Sequence, residues 1–304
     1  MLCIVGTVPD ADFPLVSGPV HLKNGRLEIA GYHIQIHRGT PALVGAVLAA
    51  GTVLRLPPVE AWLVGDIGRG EGSRKLYAHM EQRLARSSWT ALVFHYLQPD
   101  VDWHNRVLFA VEKMLPRPVL IADAGFMYAA KMSGQAESYD LFTPDVGELA
   151  FLADEDAPHP FYTRGFILHQ EDKVAELIER AYRNANAARW LLVKGRRDCL
   201  ADARGVHATV DAPASPAMEA MGGTGDTLTG LTAALAAAGM PIDRAAVLAA
   251  RANRWAGKLA TPTPATQIEA IVGKIPAALK HVIDTADELK GNDSPRPAIK
   301  AGRD

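Results

Sequence analysis

Cysteine is scarce in this chain, which has two in 304 residues, Cys3 and Cys199. Two thiols cannot build a disulfide framework or a four-cysteine zinc site. Each sits in an apolar run, where a small buried thiol is the expected role. Aromatic residues are also few, at 7%. With alanine abundant, that favours close helix–sheet packing over an aromatic binding surface. Neither sign of charge dominates: 32 basic residues face 34 acidic ones, for a net charge of −2. This argues against a polybasic nucleic-acid or membrane binder and leaves room only for a local basic patch. No apolar run approaches the roughly 20 residues of a membrane span; the longest helix-like one, residues 228–238, is too short. The first residues, MLCIVGTVPDADF, lack both the basic region and the long apolar stretch of a signal peptide. A cytoplasmic, soluble protein with no nucleic-acid or membrane partner is the expectation.

What is present is globular. Hydrophobic residues make up 48% and charged residues 22%, enough to bury a core without staples. Residues 1–5 read as a buried strand. Residues 20–22 and 27–29 flank Lys23-Asn24-Gly25-Arg26, and Asn-Gly is a strong hairpin turn because both residues tolerate positive φ. His33-Ile34-Gln35-Ile36-His37 alternates as a half-exposed strand does. Residues 20–37 therefore predict a small antiparallel flap. Beyond it, strands at 61–64, 91–96, 119–122, 141–143 and 190–193 alternate with helices. The helices are expected at 41–50, 73–85, 103–114, from 146, and at 173–187, 227–238, 244–259 and 268–286. Such alternation predicts a mostly parallel sheet covered on both faces. No repeat or Gly/Ser linker divides the chain. One domain over residues 1–290, with a polar Pro/Gly-rich tail at 291–304, is expected.

The chemistry concentrates in Met221-Gly222-Gly223-Thr224-Gly225-Asp226-Thr227-Leu228-Thr229-Gly230, which runs into an alanine-rich helix. Glycines let backbone N–H groups approach an anion, and a helix N-terminus holds negative charge. A carboxylate beside such a nest can take a proton from an attacking hydroxyl. A glycine turn followed by an Asp helix cap would read the same way.

GGTGDTLTG resembles the GAGD or GTGD signature of the ribokinase-like superfamily. The resemblance implies a three-layer α/β/α sandwich with a β-hairpin lid. It also implies an anion hole at Gly223, Thr224 and Gly225, and a catalytic base at Asp226. Other segments follow in the family's order. Thr143-Pro144-Asp145-Val146-Gly147-Glu148 resembles its PNxxE motif, which implies that Glu148, with Asp145 in place of Asn, organises magnesium. Val64-Gly65-Asp66-Ile67-Gly68-Arg69-Gly70-Glu71-Gly72 resembles its VGDDxFG stretch. WLLVKGRRDCL, residues 190–200, resembles the strand and turn that border the nucleotide. Lys194 and Gly195 are then expected near ATP or ADP, with Asn253 near its base. Asp198 stands where a second glycine is usual. Arg38-Gly39-Thr40-Pro41-Ala42 resembles the GGAxxN helix start, but Leu43 replaces the Asn that grips sugar hydroxyls. That departure argues against ribose, adenosine or fructose. Gly39, Thr40, Asp10 or Asp12, and Asp123 at a strand's C-terminal end are the substrate-side candidates.

Two reactions suit this set. The leading expectation is ATP- and Mg2+-dependent phosphoryl transfer to a hydroxyl of a small molecule, as in sugar and small-alcohol kinases. The alternative is the ATP/ADP-dependent NAD(P)H-hydrate dehydratase. GTGDTLTG resembles that family's GTGDVLAG more closely, and TPDVGELAFL resembles its TPHPGEFARL. Against the alternative, the chain reads Phe94-His95-Tyr96-Leu97-Gln98-Pro99 where that family's GPGLG is expected. A non-catalytic nucleotide sensor is a third class, and an intact Asp226 argues against it. A β lid in relatives often helps form dimers, which leaves a homodimer through the lid open. His95, His104, His159 and His169 lack metal-ligand spacing and read as surface or satisfied core histidines. The Arg residues around 180–197 read as a solvated helix face.

Overall fold

A computed structural model describes residues 1–155 and 173–292, with residues 286–292 described by their backbone only. Along the chain, β1 (Leu2–Val8) leads into β2 (Val16–Lys23), β3 (Arg26–Ile29) and β4 (Tyr32–Gln35). Then come α1 (Thr40–Leu54), β5 (Glu60–Gly65), α2 (Glu71–Arg83), β6 (Ala91–His95) and α3 (Val101–Glu112). The middle holds β7 (Val119–Ala122), α4 (Phe126–Met132), β8 (Leu141–Phe142), α5 (Val146–Ala153), α6 (Val174–Arg183) and β9 (Trp190–Val193). A hairpin of β10 (Asp198–Asp202) and β11 (Gly205–Val210) follows. The chain ends in α7 (Thr224–Ala237), α8 (Ile242–Ala260), α9 (Ile268–Val272) and α10 (Ile275–Asn292).

The described strands form one sheet of order β11-β10-β9-β8-β7-β6-β1-β5-β2-β3-β4. Strands β5, β1, β6, β7, β8 and β9 run parallel, and both ends of the sheet are antiparallel. Alternation along each strand divides the core. In β1, Leu2 and Ile4 pack with α1, α7 and α8 on one face. Cys3 and Val5 pack with α2, α3 and α5 on the other. These are the three layers of an α/β/α sandwich, as the resemblance implied. Burial keeps the Cys3 thiol well above its ordinary pKa, so it is an inert small hydrophobe. Among the described residues no helix is long and apolar enough to cross a membrane.

The expected flap extends the sheet. β2 begins at Val16 and pairs antiparallel with β5. Val20, Leu27, Ile29 and Ile34, the apolar side of β2–β4, are buried in the same core as α1, α9 and α10. The helix expected over 268–286 is two helices, broken between Val272 and Ile275. The α4 helix and the β10–β11 hairpin were not foreseen. Helices α1 and α7 meet closely because Gly230 has no side chain; a Cβ there would lie 2.4 Å from the Leu43 carbonyl oxygen.

Candidate active site

Parallel strands deliver their C-terminal ends to one edge of the sheet, where ligands bind in open α/β folds. Here that edge collects polar residues in strand order. His95 ends β6, Asp123 follows β7, Thr143 follows β8 and Lys194 follows β9. The N-termini of α1 and α7 face the same edge, bringing Gly39, Thr40 and Asp226. All of these except Gly39 and Lys194 are buried.

Asp226 sits in the first turn of α7, just after Gly223, the helix N-cap at φ 101°. That left-handed geometry suits glycine, and the space disfavours any side chain. A Cβ on Gly223 would lie 2.9 Å from Cγ1 of Ile268. Both carboxylate oxygens of Asp226 are held. The Gly39 N–H donates to Oδ2 at 2.6 Å, and His95 Nε2 lies 3.1 Å from Oδ1. His95 Nδ1 in turn lies 2.9 Å from Thr40 Oγ1. The Asp226 side chain keeps 11% exposure, while His95 has none.

Beside this chain lies a second carboxylate, fully enclosed. Asp123 accepts from Lys194 Nζ at 2.8 and 2.9 Å. It also accepts from the Thr229 hydroxyl at 2.6 Å and from the Ala124 N–H at 2.8 Å. Thr229, one turn along α7 from Asp226, also meets Thr143 Oγ1 at 3.0 Å. Burial pushes the Asp123 carboxyl up, but the Lys194 ammonium, with the hydrogen bonds from Lys194 and Thr229, outweighs it and holds the group below the ordinary carboxylate range. Burial pushes the Lys194 ammonium down, and Asp123 and Glu148 more than reverse this, so it stays charged. His95, Asp123 and Asp226 place one donor atom each within 4.8 Å of one another, a spacing that could suit a cation. Lys194 already supplies the positive charge on Asp123, so this cluster is an ion-paired network. The Lys194 stem crosses Gly225, where a Cβ would lie 3.3 Å from its Cδ.

Asp145 and Glu148 form a capping box at the start of α5. Asp145 Oδ1 accepts from the Glu148 N–H at 2.7 Å, and Glu148 Oε2 accepts from the Asp145 N–H at 2.8 Å. Tyr128 donates its hydroxyl to Glu148 Oε1 at 2.9 Å. Burial, then repulsion from Asp145, raises the Glu148 carboxyl to about 8. A divalent cation would relieve this crowding of two carboxylates, so the donor set fits magnesium.

The remaining expected residues fall in different places. Gly195 lies in the turn after β9, and its N–H donates to Asp198 Oδ1 at 3.3 Å. Asp198, in the glycine's usual place, is buried and accepts from Arg254 Nε at 2.8 Å. Burial keeps its carboxyl raised despite Arg254. Arg254 also donates to the Gly195 and Arg196 carbonyls, so an ion pair shapes this turn. Asn253 is buried and engaged, accepting from Thr227 at 2.8 Å and donating to the Thr224 carbonyl at 3.0 Å. It ties α8 to the first turn of α7. Asp10 and Asp12 are exposed on the loop after β1, with the Asp12 N–H donating to Asp10. His104 is a satisfied core residue between Tyr139 and Ser133, whereas His159 and His169 lie outside the described residues.

Sequence reasoning reads His95 as a surface or satisfied core histidine and gives Arg38 no role. His95 ends an apolar run at the C-terminal end of a central strand, and that position was the available signal. Arg38 is exposed, has no ion-pair partner among the described residues, and lays its Cδ 3.5 Å from where a Gly222 Cβ would be.

A sequence model of the NAD(P)H-hydrate dehydratase family matches residues 98–276. The chain belongs to that family. It is 38% identical over 242 residues to the uncharacterized protein MJ1337 of Methanocaldococcus jannaschii, covering 79% of this chain and 100% of that one. It is 27% identical over 273 residues to the bifunctional NAD(P)H-hydrate repair enzyme Nnr of Pyrobaculum aerophilum. That match covers 85% of this chain and 51% of the enzyme, so the chain spans about half the length of that relative. The ADP/ATP-dependent NAD(P)H-hydrate dehydratase of Bacillus subtilis, crystallised with ATP and Mg2+, shares the fold. Its TM-score is 0.56 at 15% identity, covering 92% of this chain and 89% of that one. The family match overturns the leading expectation of a sugar or small-alcohol kinase. Leu43, fully buried and offering no group to a sugar hydroxyl, argues only against ribose, adenosine or fructose as substrate.

Proposed function

We propose that the protein is an ADP- or ATP-dependent, Mg2+-requiring dehydratase that returns hydrated NADH or NADPH to the parent nicotinamide. The observation that carries this reading is the family match over residues 98–276, which contains Asp226 held at a helix N-terminus by two donors. When bound, the nucleotide supplies the phosphoryl group that turns the substrate hydroxyl into a leaving group.

The chain's own residues divide the rest of the work. Asp226 takes the hydroxyl proton. Its partly open carboxylate lies at the head of α7, where first-turn N–H groups lack acceptors inside the helix. The N–H groups of Gly223, Thr224 and Gly225 receive the negative charge that builds on the transferring group. Arg38, against Gly222 and without an ion-pair partner, adds a positive charge at the same mouth. Asp145 and Glu148 would hold the magnesium. Lys194 spans Asp123 and Gly225, setting a fixed charge under the nest. The Arg254-braced turn at Gly195 borders the nucleotide.

The test is incubation with hydrated NADH, magnesium and either nucleotide, followed by reduced-nicotinamide absorbance. The expected result is recovery of that absorbance with the wild-type protein. Asp226→Asn should slow it by about a thousandfold or more, the scale of general-base loss together with lost positioning. Unchanged turnover in Asp226→Asn would refute the base assignment.

A further inference from the structure

The mechanism just given leaves His95 without a role, although it is fully buried and has both ring nitrogens engaged. A buried imidazole must have its hydrogen bonds assigned consistently. An ionised Asp226 can only accept, so His95 Nε2 carries the proton and donates to Oδ1 at 3.1 Å. In the neutral ring Nδ1 then accepts, so the Thr40 hydroxyl donates to it at 2.9 Å. Thr40 opens α1, whose N-cap Gly39 sends its N–H to the other Asp226 oxygen at 2.6 Å. The start of α1 thus controls both oxygens of Asp226, one directly and one through His95.

Two other roles fail on geometry. The order Thr40–His95–Asp226 resembles a nucleophilic triad, but Thr40 is completely buried and no substrate could reach it. His95 also lies 3.7 Å from Asp123, but Asp123 is already neutralised by Lys194 at 2.8 Å. The contact to Asp226 is the shorter one.

We propose that His95 is the positioning residue of the base: its Nε2–H, donated to one Asp226 oxygen, aims the carboxylate into the cleft, and Thr40 fixes the ring's tautomer. The proposal rests on Asp226 being the base of the dehydratase reading. Donors to a carboxylate favour its charged form. The other charged or titratable groups around this carboxylate are Asp123, Lys194, Tyr96 and Glu148, and none of them is altered in the variants below.

His95→Phe keeps a planar ring, slightly larger than imidazole, and removes the donor, while His95→Gln keeps an N–H donor. His95→Phe should lower kcat by about a hundredfold, the scale of one preorganised donor. It should leave the nucleotide KM within about twofold, the split expected when an interaction made only in the transition state is lost. His95→Gln should recover to within about tenfold of wild type, and Thr40→Val should fall between the two. Wild-type kcat in His95→Phe would overturn the proposal, as would a folded His95→Gln no better than His95→Phe. A separate measurement needs no activity: 15N NMR of the imidazole in the unliganded protein. It should show protonated Nε2 and bare Nδ1. If the wild type proves inactive on hydrated NADH, the dehydratase reading fails, yet the NMR still decides the hydrogen bond. The opposite tautomer overturns the proposal.

Discussion

Replacing Lys194 with Met removes the ammonium that neutralises Asp123 at 2.8 Å while keeping most of the stem that covers Gly225. At that separation and an effective dielectric of about 20, the attraction is roughly 6 kcal/mol. Desolvation of both ions offsets part of it, and removing one partner from a buried pair typically costs about 3–5 kcal/mol. Thr229 and the Ala124 N–H still serve Asp123 in the variant, which places the expectation near the lower end. With a urea slope of roughly 3 kcal/mol per molar, the unfolding midpoint should fall by about 1 M. The double variant Asp123→Asn/Lys194→Met leaves no uncompensated charge and should regain most of the loss. The sign with pH also follows. Asp123 is depressed in the folded protein, so its contribution is present above the unfolded value near pH 4 and is lost as pH falls through the lower native value. The gap between wild type and Lys194→Met should therefore narrow on acidification below about pH 4. A loss under about 1 kcal/mol at neutral pH would refute the reasoning, as would a double variant no better than the single one.

Other residues give separate expectations. Gly223→Ala should cost about 2 kcal/mol or more, because it combines a positive φ with a Cβ 2.9 Å from Ile268; thermal unfolding checks this. Arg254→Met should strand the buried Asp198 and free the Gly195 and Arg196 carbonyls, raising the nucleotide KM more than it lowers kcat. His104 is held down to about 4 by burial, against about 6.5 when unfolded. The unfolded chain therefore binds the extra proton first, and stability should fall as pH drops from about 6.5 to 4, by on the order of 3 kcal/mol. Urea midpoints across that range measure it, and a flat response would contradict the burial argument.

The readable parts of this site were local in sequence. GGTGDTLTG places a glycine turn, a helix start and a carboxylate within a few residues, so its geometry follows from helix capping alone. Asp123 and Lys194 were visible because each ends an apolar strand in an alternating α/β pattern, and sheet topology sends such ends to one edge. The contacts among them were not readable. His95 meets Asp226 across 131 residues, and only the parallel order β1-β6-β7 with α7 laid across it makes that contact. Asp198 looked like a defect in a glycine turn. Its partner Arg254 lies 56 residues away, and the pair supplies by charge the order that glycine supplies by conformation. The local signature GTGDTLTG already resembles the dehydratase more closely; the missing glycine-rich segment at residues 94–99 and the hairpin lid are what favour a kinase, and the family match over residues 98–276 overturns that preference.

The most direct test of the dehydratase reading is absorbance recovery from hydrated NADH with ADP or ATP and Mg2+, run with wild type and Asp226→Asn side by side. Recovery that needs the nucleotide and disappears in Asp226→Asn is the predicted result. No recovery with either nucleotide, from wild-type protein shown to be folded, would contradict it.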